Sequence, residues 1–285
     1  MSDRTRRSDG TLDPVGRLRR TIATQPALRR ASKDAVSRAA TRGVPAGVFL
    51  AGLRATRTAR TRLRRADVFD YSSPPDPFAI RWIDPTAVRR FSPRVHPPWW
   101  NRRRSFGDVR DGDWDGRPYA EAPRPDAYPK RGERALLYAD RVVDSPLYVA
   151  IRRRLRGGVD WTDTAFVRGV VDRIESGTPV WQDCRTRADV LERCSRLDDL
   201  AETIREEGIK TQWELIAEGT VARAGILHAL GNEIVVDVAR DGEPLLVSGK
   251  HRFSIARALG LEAVPVAVCV RHEGWMRTVA TDNNG

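Results

Sequence analysis

Apolar positions recur at helical spacing through the middle of the chain and switch to strand-like runs towards its end. Phe166, Val167, Val170, Val171 and Ile174 fall on one helical face, with Thr162 or Asp163 as the N-cap and Gly177 just past the end. Leu197, Leu200, Ala201 and Ile204 form the next face, which Gly208 stops. Trp213–Leu230 reads as an inserted helix, and Trp181, with Cys184 nearby, packs these helices onto a sheet. The sheet is written in three runs: Phe78–Ile83, a pair of strands from Ile234 to Val247 around the turn Asp241-Gly242, and the apolar run Val264–Val270. Between the second and third lies a helix, Phe253–Leu259, whose Ile255, Ala256 and Leu259 face inward.

The junction before that helix carries the chemistry. Gly249-Lys250-His251-Arg252 stands where a strand ends and a helix begins. Glycine permits a sharp turn and a close backbone approach. The helix offers its unpaired N–H groups and positive dipole end to whatever binds there. Lysine, histidine and arginine at that place describe an anion site, phosphate above all. Two readings of the side chains stay open. His251 either meets the ligand or is a satisfied structural group; Arg252 either meets it or holds the helix to the sheet through a salt bridge.

The flanks extend the pattern. Leu197–Gln212 reads LDDLAETIREEGIKTQ, and Ile234–Val268 reads IVVDVARDGEPLLVSGKHRFSIARALGLEAVPVAV. This order resembles the ParB/sulfiredoxin superfamily: a helix of the ELAxSIxxxG type, a loop, a strand pair, G-x-[HR]-R, a helix ending in glycine, and a VPV strand. Gly249, His251 and Arg252 match the motif, while Gly260 and Val264-Pro265-Val266 match the ending. The resemblance implies an α+β fold: a small mixed β-sheet of ParB/sulfiredoxin type with packed helices, to which the composition adds a basic, partly disordered N-terminal arm. It implies that Gly249, Lys250, His251 and Arg252 hold nucleotide or phosphate, with Lys210 and Gln212 in the facing loop. Ser92-Pro93-Arg94 is similar to the family's N-P-R loop, so Arg94 is expected to reach the same site. The implied cofactor is a nucleotide (ATP, ADP or CTP) with Mg²⁺.

Departures from the family narrow the activity. Sulfiredoxins carry their nucleophilic cysteine where this chain has Lys250, and an ammonium cannot replace a thiolate. The second nucleotide motif and helix-turn-helix domain of partition proteins have no counterpart after Trp275. The kinase members are most similar at the motif and use an acidic base. Here Glu206, Glu207, Glu214, Glu233 and Glu243 are all candidates, and spacing does not choose among them.

Charge adds a second theme. Met1–Arg65 holds 17 basic and 4 acidic residues, so the net charge of +12 belongs to this arm. It either neutralises nucleic-acid or lipid phosphates or is a solvated arm with no fixed partner. The organisation expected is an arm and linker over 1–75, a first strand and a loop rich in Trp, Asp and Pro over 76–130, helices over 131–196, the ParB/sulfiredoxin-like core over 197–277, and a tail over 278–285. His96–Pro129 reads as irregular loop. Within it Asp111–Gly116 opens like the D-x-D-x-D-G of a calcium loop, but Ala122 stands where the twelfth-position glutamate belongs. Calcium, a divalent metal beside a nucleotide, and a plain turn are the three readings.

Arg271 and His272 end the last strand, either near the motif or as an exposed strand end capped by Trp275. Cys184, Cys194 and Cys269 form no C-x-x-C pair and fit a reduced, cytoplasmic setting. Val44–Leu53 is too short to span a bilayer. Phosphate or nucleotide binding, with phosphoryl transfer as the natural reaction, is the leading expectation. A non-catalytic protein bound to nucleic acid through residues 1–65 is the alternative, and nuclease chemistry ranks last.

Overall fold

A computed structural model describes residues 67–71, 74–94, 105–123, 134–221 and 226–282. The basic arm over 1–65 lies outside the described residues. Five strands form one mixed sheet: β1 (Ile80–Ile83), β2 (Asp108–Arg110), β3 (Ile234–Val238), β4 (Pro244–Ser248) and β5 (Val264–His272). Their order is β1-β5-β3-β4, with β2 also paired to β5. The helices are α1 (Arg134–Leu137), α2 (Pro146–Gly157), α3 (Ala165–Glu175), α4 (Arg187–Glu207), α5 (Gln212–Ala217), α6 (Ile226–Asn232), α7 (Lys250–Leu259) and α8 (Glu273–Asp282).

β5 is the spine. All nine of its residues are buried, as its near-continuous apolar run requires of a strand covered on both faces. β3 lies parallel to it from Ile234↔Val266, and β1 lies antiparallel from Ile80↔Ala267 to Ile83↔Val264. Phe78–Ile83 therefore joins the sheet despite the long intervening chain. The following segment joins it too, since Phe91 bridges Leu246 of β4.

Alternation along the strands sorts the core into two faces. Ile234, Val236, Val238, Leu246, Val264, Val266 and Val268 face the helices, where Phe253, Ile255 and Ala256 of α7 and Ile151 of α2 pack on them. Val235, Leu245, Val247, Ala267 and Cys269 face Phe78, Phe106 and Trp114. The stretch read as irregular loop thus supplies a short strand, β2, and the cover of the second face.

Local chemistry moves several expected boundaries. α3 starts at neither Thr162 nor Asp163. Those residues belong to a 3₁₀ turn, and Thr164 is the N-cap, its Oγ1 accepting the Val167 N–H at 3.2 Å. α4 begins well before the Leu197 face because Thr186 and Asp189 close a capping box. The insertion at 213–230 contributes two helices, α5 and α6, rather than one. Trp181 packs edge-on against Phe166 and holds the Cys184 thiol through its carbonyl, so the expected role of this pair as helix packing is met. All three cysteines are buried.

Candidate functional site

The site begins where β4 ends. Gly249 sits at φ 80°, ψ 20°, and a Cβ there would lie 2.8 Å from the Ile234 Cα and 3.1 Å from the Glu233 carbonyl oxygen. Only glycine reconciles the left-handed turn with that approach. Gly249→Ala combines backbone strain with overpacking and is expected to lower stability by about 2–5 kcal/mol in chemical denaturation. No side chain caps α7, and its first-turn N–H groups have no partner within the helix.

The three side chains after Gly249 turn to three different neighbours. Lys250 donates to the Tyr138 hydroxyl at 3.2 Å and lies 4.8 Å from that ring's centroid. Tyr138 in turn stacks on Tyr119. His251 accepts the Trp181 indole N–H on Nε2 at 3.1 Å, which places its own proton on Nδ1. Burial, with Lys250 and Arg193 adding to it, pushes the His251 pKa down to about 3, so the ring is neutral. Trp181, Gln182 and Asp183 all have positive φ, a left-handed run that aims the indole at this histidine.

Arg252 turns to Glu233. Its Nη1 lies 3.5 Å from Glu233 Oε2 and 3.4 Å from the Asn232 carbonyl oxygen, and its Nη2 donates to the Lys210 carbonyl. Glu233 is buried, and the Gln212 backbone N–H donates to its Oε1 at 2.6 Å. Burial raises the Glu233 pKa to about 7, outweighing the opposing pull of Arg252. Burial also lowers that of Arg252. Each partner's charged form is strained by its surroundings, which makes the pair responsive to a further charge.

Gly249, Arg252, Gln212 and the Lys210 backbone therefore gather around Glu233. The Lys210 ammonium instead pairs with Glu207 at 2.7 Å and Glu218 at 2.9 Å. Among the five candidate glutamates, Glu233 is the one that pairs with the motif, through Arg252, and burial raises its pKa. A carboxylate placed directly before the apolar run Ile234-Val235-Val236 was the available signal, since such a strand start is where burial reaches a charge.

Arg94 is not part of this group. Its Nε and Nη2 contact Asp237 at 2.8 and 3.2 Å, with Ser92 Oγ donating to the same carboxylate at 2.6 Å. Asp237 is fully buried in β3 and requires a cation of its own. Arg271 and His272 also lie elsewhere, and neither is an exposed strand end. β5 runs parallel to β3, so they finish beside Val238, while Gly249 follows Ser248 beside Val235. Nor is the acidic loop a metal site. Arg240 donates to the Gly112 carbonyl, Asp113 and Asp115, and His272 stacks on Trp114, so the loop is a structural turn. Among the described residues no group of three or more His, Cys, Asp or Glu side chains is arranged to hold a metal ion.

No protein-family model, no curated protein and no solved structure matches this chain.

Proposed function

We propose that the protein is a cytoplasmic phosphate- or nucleotide-binding protein with a ParB/sulfiredoxin-like sheet, its anion seat formed at Gly249 and the start of α7. The observation that carries this reading is an uncapped helix N-terminus behind a closely packed glycine, with the Arg252–Glu233 pair in its first turn. Phosphate oxygens accept the first-turn N–H groups, and Arg252 exchanges Glu233 for the phosphate. Lys250 and His251, held by Tyr138 and Trp181, shape the seat from behind. Lys210 and Gln212 close its rim through their backbone.

Phosphoryl transfer suits such a site, because positioning and cationic stabilisation supply most of its catalysis. Glu233 would take the acceptor hydroxyl's proton, and Mg²⁺ would arrive with the phosphates of ATP, ADP or CTP.

The test is a thermal-shift series with ATP, ADP, CTP and inorganic phosphate, with and without Mg²⁺. At least one ligand is expected to raise the melting temperature, and Arg252→Ala to weaken binding roughly tenfold or more. A neutral Glu233 does not compete for Arg252, so binding is expected to be tighter at pH about 6 than at pH about 8. Glu233→Gln removes that difference. Failure of every ligand to shift the transition rejects the site.

The charge of residues 1–65 supports a second reading, a protein attached to nucleic acid by its arm. Deleting the arm would abolish salt-sensitive DNA binding and leave the nucleotide response untouched.

A further inference from the structure

At the other end of β3, roughly 10 Å along the strand, lies a different kind of site. A cavity of about 560 Å³ opens on the helix-facing side of the sheet. Val236, Val238, Val266 and Val268 form its floor, and Trp275 of α8 stands at its side. Among the described residues two charged side chains line it, Arg81 from β1 and Arg271 from β5, and no carboxylate does.

Arg271 is the unusual member. It is 2% exposed, yet its Nη1 has no hydrogen-bond partner, and it makes no ion pair with any described residue. Its neighbour in charge is Arg81, another cation, which adds to burial in holding its pKa down, to about 10. Arg94, by contrast, is answered by Asp237, and Arg252 by Glu233. Among the described residues, none answers the Arg271 charge. A guanidinium is a rigid fork suited to a planar two-oxygen acceptor, and it binds such groups most strongly where water is excluded. The remaining wall is apolar, and the volume suits a small molecule.

We propose that this cavity binds an apolar monocarboxylate of fatty-acid type, its carboxylate on Arg271 and its hydrocarbon body along the valine floor towards Trp275. The exposed Arg81 stands at the rim and draws the anion in. The site is separate from the Gly249 seat and does not depend on it.

Decanoate and its neutral counterpart decanol are the probes, used with the full chain in calorimetric titration and thermal shift. Decanoate is expected to bind and raise the melting temperature, with decanol far weaker. Arg271→Met removes the charge at similar volume. It should weaken decanoate binding roughly tenfold to a hundredfold. It should also raise the melting temperature of the protein without ligand, since a buried unanswered charge is gone. A purely structural arginine would give the opposite change. Ala87→Trp, at an exposed position on the cavity lining, blocks entry without touching the arginine and should abolish binding even if the Met variant fails to fold. Equal binding of decanol and decanoate, no response to decanoate, or wild-type binding by Ala87→Trp overturns the proposal.

Discussion

Asp237→Ala is expected to cost about 3–5 kcal/mol, the loss that follows when one partner of a buried ion pair is removed. The pair joins Arg94 and Asp237 at 2.8 Å with side-chain exposures of 4% and 0%. Burial alone works against the charge on Arg94, and Asp237 more than restores it, so the arginine's pKa ends above its ordinary value. Asp237 also accepts the Val270 backbone N–H at 3.1 Å and the Ser92 hydroxyl, tying β5 and the segment after β1 to β3. Removing the carboxylate strands a guanidinium in the core and leaves an N–H unsatisfied. The double replacement Arg94→Met with Asp237→Leu is expected to be less damaging than Asp237→Ala alone, since two apolar groups need no partner. Equilibrium denaturation of the single and double variants reads both. Additive losses would show that the two residues act independently and would rule out the pairing.

How far the sequence foretold this arrangement depends on what kind of signal each residue leaves. Elements with strong periodicity or continuous apolar character were legible: Val264–Val270 as a buried strand, Phe166–Ile174 and Leu197–Ile204 as helix faces, and Gly249 as a turn at a strand end. The mixed α+β character follows from those runs. What escaped was pairing at a distance. Arg94 looked available for a ligand because nothing local marks Asp237, 143 residues away, as its partner. The acidic loop at Asp111–Gly116 left three readings open, and Arg240, distant in sequence, decides for the structural turn. Arg271 and His272 fit neither of their two readings, since strand direction, not spacing, decides which ends meet, and both are buried. Cap positions failed more locally. Thr164 competes with two other good capping residues within three positions, and only the preceding 3₁₀ turn resolves the choice.

The pH dependence of stability is expected to carry two opposed contributions from opposite sides of one glycine-led turn. His251 has a folded pKa of about 3 against an ordinary 6.5, so the unfolded chain takes up its proton first. Its contribution is complete above pH about 6.5 and disappears as pH falls through about 3, a span worth about 5 kcal/mol. Glu233 runs the other way. Its pKa is raised from 4.5 to about 7, so the folded chain holds the proton more tightly. That contribution is complete below pH about 4.5 and is lost as pH rises through about 7, a span worth about 3 kcal/mol. Between about 4.5 and 6.5 the two nearly offset each other, and below that window histidine alone acts. His251→Gln keeps an acceptor for the Trp181 indole while removing the titration, so its stability should fall steadily as pH rises from about 4.5 to 7. Glu233→Gln should instead gain stability as pH rises over that range. Other carboxylates titrate in acid in all three proteins, so the differences between denaturation curves isolate these two groups. Parallel pH profiles for wild type and both variants would mean that neither side chain is buried as described. In that event Arg252 would be committed to another partner, and the Gly249 seat would lose the acid that makes its affinity respond to pH.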